Sequence, residues 1–270
     1  SEIKNFGVDL GLWDNTLSFT FDIYQRDRSG LLATRGATLP NTFGADLPQE
    51  NLNKDRVRGV EFQINYDKRF NHNWHVYASG NFNFARTMTV YAESAPYTSS
   101  MDKWRSGSIG RWNDIVWMYE YAGQFTSEED ILNWAIQDGT LGNSREMIGD
   151  FKYKDQNGDG QIDDNDQIFV RRWNPPFSGG IQLKLGYKGF TLYAVGNAYW
   201  GKDYATFIEN NYYWVDANDP YPTHVKDSWT PSNPNAKWPA LTTNAANNNN
   251  RRSTFWMYDN SFFQLRKVQL

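Results

Sequence analysis

Residues 16–24 read Thr-Leu-Ser-Phe-Thr-Phe-Asp-Ile-Tyr. Leu17, Phe19, Phe21 and Ile23 fall on one side of an extended chain, and Thr16, Ser18, Thr20, Asp22 and Tyr24 on the other. Side chains of a strand point alternately to opposite faces, so this stretch places one face in an apolar medium and the other in a polar one. The pattern recurs. Val60, Phe62, Ile64 and Tyr66 alternate with Glu61, Gln63, Asn65 and Asp67. Val76, Ala78, Gly80, Phe82 and Phe84 alternate with polar residues, and Ile181, Leu183, Leu185 and Tyr187 do the same. Residues 6–13, 190–200 and 262–270 also read as strands.

The connections carry as much information as the strands. Runs 6–13 and 16–26 join across Asp14-Asn15, runs 57–68 and 74–86 across Asn71-His72-Asn73, and runs 179–187 and 190–200 across Lys188-Gly189. Asn, Asp and Gly suit tight hairpins. Residues 27–56, 87–178 and 201–261 form the intervening long connections. Strict alternation of short and long connections is the pattern of a transmembrane β-barrel, with short periplasmic turns and long extracellular loops. Runs of roughly 9–12 residues also match the ~9–11 needed to cross a bilayer at a tilt. Trp13, Phe70, Trp74, Tyr187 and Phe190 flank the short turns, and Tyr24, Tyr199 and Trp200 lie near the opposite ends, as two interfacial girdles would. The expected fold is all-β, an antiparallel wall of a transmembrane barrel over residues 1–270. The alternative is a soluble, calcium-stapled β-sandwich that binds carbohydrate.

Composition agrees. The 270 residues contain no Cys, which excludes disulfide scaffolds and thiolate zinc sites. A balance of 27 basic against 31 acidic residues argues against a nucleic-acid partner. No apolar run is long enough for a transmembrane helix. Residues 1–10 lack a signal-peptide pattern and 261–270 stop inside an apolar strand pattern, so the chain reads as part of a longer protein.

The long connections contain one chemical motif. Asp155, Asn157, Asp159, Gln161, Asp163 and Asp166 stand at positions 1, 3, 5, 7, 9 and 12 of a calcium-type loop, with Gly160 at 6 and Ile162 at 8. Oxygen donors at that spacing suit calcium, a hard cation of six to eight ligands; Gln161 would offer its backbone carbonyl. Asp166 replaces the usual longer bidentate Glu. The flanks 150–154 and 167–171 read as extended, so a structural staple is expected rather than a sensor. Ser127 caps an expected helix running to about Gln137, with Gly139 as its stop. Residues 245–252, Ala-Ala-Asn-Asn-Asn-Asn-Arg-Arg, read as a solvated loop tip, and 201–261, rich in Pro and Asn, as irregular.

Catalytic patterns are not evident. His72, His75 and His224 are dispersed, and no nucleophile elbow, phosphate-binding loop or zinc-protease motif is present. A secreted hydrolase would need an acid pair that the sequence does not single out. Loop aromatics, among them Trp104, Trp112, Trp117, Trp173, Trp214, Trp229, Trp238 and Trp256, could stack on sugars or peptides, or pack the loops and contact a partner.

Residues 149–162, Gly-Asp-Phe-Lys-Tyr-Lys-Asp-Gln-Asn-Gly-Asp-Gly-Gln-Ile, resemble a signature of the SusC/RagA family of TonB-linked outer-membrane transporters of Bacteroidota. Asn174-Pro-Pro-Phe177-Ser-Gly-Gly180, Gly59-Val60-Glu61, Tyr121-Ala-Gly-Gln-Phe125 and Ser261-Phe-Phe-Gln-Leu265 resemble family segments in the same order. The resemblance implies part of a 22-stranded barrel whose N-terminal plug and last strands lie outside these residues. It further implies a SusD-like surface lipoprotein as lid, TonB acting through the plug, and import of oligosaccharides or peptides rather than catalysis. Faces such as Leu17/Phe19/Phe21 would then meet lipid, and faces such as Glu61/Gln63/Asn65 and Tyr77/Ser79/Asn81 the lumen or plug.

Overall fold

The computed structural model describes all residues except 36–46, 95, 139–141, 173–175, 202–203, 208–222, 242–247 and 260. In chain order the strands and helices are β1 (Glu2–Leu12), β2 (Leu17–Thr34), β3 (Gln49–Arg69), β4 (Trp74–Tyr91), α1 (Ser100–Ser106), β5 (Ile115–Tyr119), β6 (Tyr121–Gln124) and α2 (Glu128–Asn133). They continue as β7 (Phe151–Tyr153), β8 (Gln167–Arg172), β9 (Phe177–Tyr187), β10 (Phe190–Trp200), β11 (Tyr204–Phe207), β12 (Met257–Asp259) and β13 (Phe262–Gln269). The chain divides into two compact units. The first comprises Ser1–Ile115, Arg171–Ala205 and Asp259–Leu270; the second comprises Val116–Val170 and Thr206–Tyr258.

The first unit is built on a seven-stranded sheet in the order β1-β2-β3-β4-β9-β10-β13. Each neighbouring pair is antiparallel. The sheet is an open wall, not a closed barrel. All seven strands read from the sequence are present, and the three short connections are the expected hairpins. At β9–β10, Lys188 and Gly189 both have positive φ, 43° and 87°, the sign a two-residue I′ turn requires at both positions. At β3–β4, Asn71 Oδ1 accepts the amides of Asn73 and Trp74 at 2.9 and 3.0 Å.

Register turns the separate alternations into two continuous faces. Phe6, Ile23, Val60, Phe84, Phe177 and Trp200 are successive cross-strand partners from β1 to β10. Leu10, Phe19, Ile64, Gly80, Ile181, Gly196 and Leu265 form another such row, which reaches β13. A slip of one residue would exchange the faces of a whole strand, so seven strands in phase specify one register. The apolar face is exposed on β1, β9 and β13, where Phe6 is 65 % accessible, Ile181 58 % and Leu265 57 %, and half-buried on β3 and β4, where neighbouring side chains such as Val60, Phe62, Ile64 and Phe82 pack together. Aromatics bound this face at both ends. Trp74 packs on Tyr187 at the turn end with ring centroids 4.4 Å apart, and Phe177 packs on Phe84 at 4.9 Å at the other end. An 11-residue strand such as β9 separates the ends by ~34 Å along its axis, which at a ~45° tilt gives ~24 Å of height, close to the ~25 Å apolar band of outer-membrane barrels. On the opposite face Tyr24 lies flat over Gly59. A Cβ at Gly59 would stand 2.3 Å from Tyr24 Cζ, so only glycine admits the ring there.

Two expectations change. β2, β3 and β4 span 18, 21 and 18 residues, so 27–34 and 49–56 are strand rather than loop. Charged pairs continue the ladder past the apolar band: Arg56 with Asp27, Arg28 with Asp55, and Arg35 with Glu50 at 3.1 Å. Alternation of polar with polar carries no hydrophobic signal, and this hid the extension. The helix opened by Ser127 ends at Asn133 instead of Gln137. Asn143 Nδ2 donates to the carbonyls of Ile131, Trp134 and Ala135, which satisfies its last turn, and Ile136 then pairs with Gln161. Gly139, the expected stop, lies outside the described residues. Helix α1 was not expected; Ser99 caps it by accepting the Asp102 amide at 3.0 Å.

Candidate functional site

The polar face of the seven-stranded sheet is a hydrogen-bonding surface. Asn65 Nδ2 donates to Ser18 Oγ at 3.2 Å, and Asn65 Oδ1 accepts from Ser79 Oγ at 2.7 Å and Gln63 Nε2 at 3.0 Å. Side chains from three strands are thus held in place across the ladder. Beside them Thr20, Asp22, Glu61, Gln63, Asn81 and Asn83 bound a hollow of about 320 Å³. Toward the turn end, His75 Nε2 lies 2.7 Å from Asp67 Oδ1. The face offers carboxylates, amides and hydroxyls, which suits binding of polar groups.

The second unit is organised around Gly149-Asp150. Gly149 has φ 93°, and a Cβ there would stand 2.3 Å from the Trp229 ring, so both conformation and space demand glycine. The next residues form β7, whose Phe151 and Tyr153 are fully buried with Ile162, Trp238 and Trp256. Most of β7's polar groups meet side chains rather than a strand. Gln137 donates to the Phe151 carbonyl at 3.0 Å and accepts the Tyr153 amide at 2.7 Å. Asn249 accepts the Phe151 amide and donates to Asp150, both at 2.7 Å. Tyr153 donates its hydroxyl to the Asn248 carbonyl at 2.6 Å, and burial pushes its phenol well above the usual range. Asn248 and Asn249 are therefore buried, at 7 % and 1 %, and are not a solvated tip; residues 245–247 lie outside the described residues. Asn248 also donates to Glu146, whose carboxyl is pushed up to about 7 by burial and then by the charge of Asp150.

The six oxygen donors of the expected calcium loop lie on one continuous turn. Asp155 accepts the amides of Gly158 and Gly160 at 2.6 and 2.8 Å, and these hold its carboxyl below the usual range. Asn157 accepts the Asp159 amide and Asp159 accepts the Gln161 amide, each at 2.9 Å. Asp163 caps the 3₁₀ turn 164–166. Asp166 is fully buried and accepts the amides of Gln156 at 2.9 Å and Asp163 at 2.8 Å, joining the two ends of the loop. The donor types suit a hard cation, but Asp166 is turned to backbone N–H groups. Among the described residues no three carboxylates or histidines converge as a metal centre. The flanks are extended, β7 and β8, as expected.

The loop aromatics divide. Trp238 and Trp256 are core, 9 % and 1 % exposed; Trp229 covers Gly149; and Trp112 stacks on the Arg86 guanidinium at 4.4 Å. Packing accounts for these. Trp104 is 49 % exposed. Trp173, Tyr212, Tyr213 and Trp214 lie outside the described residues. The network of Gln137, Asn143 and Asn249 had no sequence signal, because its partners are up to a hundred residues away.

Known proteins match this arrangement. Residues 1–130 match the family model described as "TonB dependent receptor-like, beta-barrel". Two TonB-dependent receptors of Formosa agariphila are 23 % and 24 % identical over 99 % of the chain. The chain spans 28 % and 26 % of their respective lengths. Among solved structures, the RagAB peptide transporter aligns over 98 % of this chain and 28 % of its own, with 22 % identity and a TM-score of 0.66. The RagAB peptide importer in its open-open state aligns with 21 % identity and the same score, over 98 % of this chain and 27 % of its own. The two-faced antiparallel wall, the barrel model matched over residues 1–130 and the relatives aligned along almost the whole chain make these residues similar to a stretch of the β-barrel of TonB-dependent receptors.

Proposed function

We propose that these residues form part of the wall and extracellular loops of a SusC/RagA-type, TonB-dependent outer-membrane importer. The observation that carries this reading is the exposed apolar face running in phase across seven strands between two sets of aromatics. A soluble sandwich would bury such a face; lipid is the medium that matches it. The apolar face meets the bilayer, and the polar face of Asn65, Ser79 and Glu61 lines the lumen or touches the plug. The cargo is an oligosaccharide or a peptide, the lid is a SusD-like lipoprotein, and TonB acts through the plug, outside these residues. TonB-dependent receptors transport and do not catalyse. The test is uptake by cells carrying the full-length protein, using labelled oligopeptides and oligosaccharides. Loss of one cargo class on deletion of the gene, and equally on deletion of TonB, is the expected result. Unchanged uptake of both would overturn the reading.

A structural calcium in the 155–166 loop is a separate proposal. Asp155, Asn157, Asp159, Asp163 and the Gln161 carbonyl would hold it, with Asp166 closing the loop or serving as the last ligand. Calorimetry of the full-length protein with calcium tests it; absence of binding would remove the ion and leave a loop held by its own hydrogen bonds.

A further inference from the structure

Charge is unevenly spread over the polar face of the seven-stranded sheet. Strands β9, β10 and β13 carry Lys184, Arg266 and Lys267 and no carboxylate. Register sets Arg69, Lys184 and Lys267 on one diagonal of that face. Arg69 pairs with His75, Lys184 with both Tyr77 and Tyr193, and Lys267 with Val195. Each cation thus stands two strands over from the last and two residues further from the tight turns. At ordinary strand spacing that step is roughly 12 Å. Asp67, in the Lys184 row, is taken by His75 at 2.7 Å. None of the three cations has a carboxylate partner among the described residues. Arg69, His75, Lys184 and Thr191 line a hollow of about 610 Å³ together with Gly186, which projects no side chain into it.

We propose that this diagonal selects acidic oligopeptides as cargo, by holding their carboxylates as they pass along the lumen wall. The inference rests on the importer reading above and narrows its cargo. A wall lined by one sign of charge concentrates ions of the other sign, and a guanidinium grips a carboxylate with two parallel N–H donors. A neutral cargo would leave all three cations unanswered. Spacing favours a peptide over a sugar. In an extended peptide, acids four residues apart point the same way and stand about 13 Å apart, close to the step between the cations. Tyr77 and Gln182, in the Lys184 and Lys267 rows, offer the hydroxyl and amide that peptide N–H and C=O groups need. A sugar needs an open aromatic face to stack on. The Lys267 ammonium lies over the Tyr193 ring, 5.7 Å from its centre, and occupies the face a sugar would use.

The test follows TonB-dependent uptake by cells carrying the full-length protein. The labelled cargoes are peptides with Glu at every fourth position, their Gln counterparts, an oligogalacturonate and a neutral oligosaccharide. At low salt the Glu peptide should enter roughly tenfold or more faster than its Gln counterpart. Lys184→Gln with Lys267→Gln should bring it down to the rate of that counterpart. Lys68→Gln, on the opposite face at the turn end, should change nothing. Equal uptake of the two peptides by the unaltered protein, or a preference that survives the double variant, would overturn the proposal. Equal loss of both peptides in the double variant, with the plug newly open to protease, would assign the cations to seating the plug and overturn it as well. Failure of the importer reading is separable. Uptake of either oligosaccharide with neither peptide would overturn this inference and keep the importer, whereas TonB-dependent entry of none of the four cargoes would overturn both.

Discussion

At the scale of single residues, side-chain amides replace missing backbone partners. Asn249 gives β7 what a neighbouring strand would give, and a lone buried N–H left without an acceptor costs about 1–3 kcal/mol. Asn249→Ala leaves the Phe151 amide without its acceptor and Asp150 Oδ1 without its donor, so amide exchange over residues 151–153 of the full-length protein should accelerate strongly. Unchanged protection would show that another group satisfies them. Glu146 sets a pH dependence in the same network. Its folded pKa, about 7, lies above the ordinary 4.5, so its protonated form is the one the fold prefers. The stabilising contribution is full below about pH 4.5 and disappears as pH rises through about 7. Burial also raises Asp150, which acts in the same direction. Protection factors in the second unit, corrected for the intrinsic rise of exchange with pH, should therefore be higher at about pH 5.5 than at about pH 8, and Glu146→Gln should flatten that difference. An identical pH response in the variant would assign the effect elsewhere. None of this was legible in Asn-Asn-Asn-Asn, which reads as solvated until the fold brings β7 beside it. Gly149-Asp150 was visible as a motif, but its reason, the Trp229 ring, was not.

At the scale of elements, period two was enough wherever one face is apolar. The seven strands and the three tight turns follow from residues such as Phe19/Phe21 and Lys188-Gly189, because register and burial leave one solution. Where both faces are polar, as at Asp27-Arg28 against Asp55-Arg56, the same ladder continues without a sequence signal. Helix α2 was legible at its start, where the cap is local, and not at its end, where Asn143 reaches back from outside the helix. The face assignment has a direct test. Phe19 and Ser18 are neighbours in sequence and lie on opposite faces. A charge at Phe19 should cost ~2–4 kcal/mol near the bilayer midplane, while Ser18 faces the polar side. In an assembly assay on the full-length protein, Phe19→Arg should lower the folded, heat-modifiable fraction and Ser18→Arg should not. The reverse order would exchange lumen and lipid.

At the scale of the whole molecule, the seven-stranded sheet has β1 and β13 as its edges, and neither has a further partner strand among the described residues. Both are exposed at every residue, and both carry apolar side chains: Phe6, Leu10, Phe263 and Leu265 are each more than half accessible. Backbone polar groups in lipid must all be paired, which an open sheet cannot achieve, and in water an exposed apolar edge is a template for further strands. Residues 1–270 expressed alone in detergent-free buffer should therefore aggregate as β-rich material, with or without calcium. The full-length chain should be monodisperse in detergent. Size-exclusion chromatography with circular dichroism decides the matter: a compact, cooperative, monodisperse β protein obtained without detergent would mean that water, not lipid, is the medium this apolar face was selected to meet.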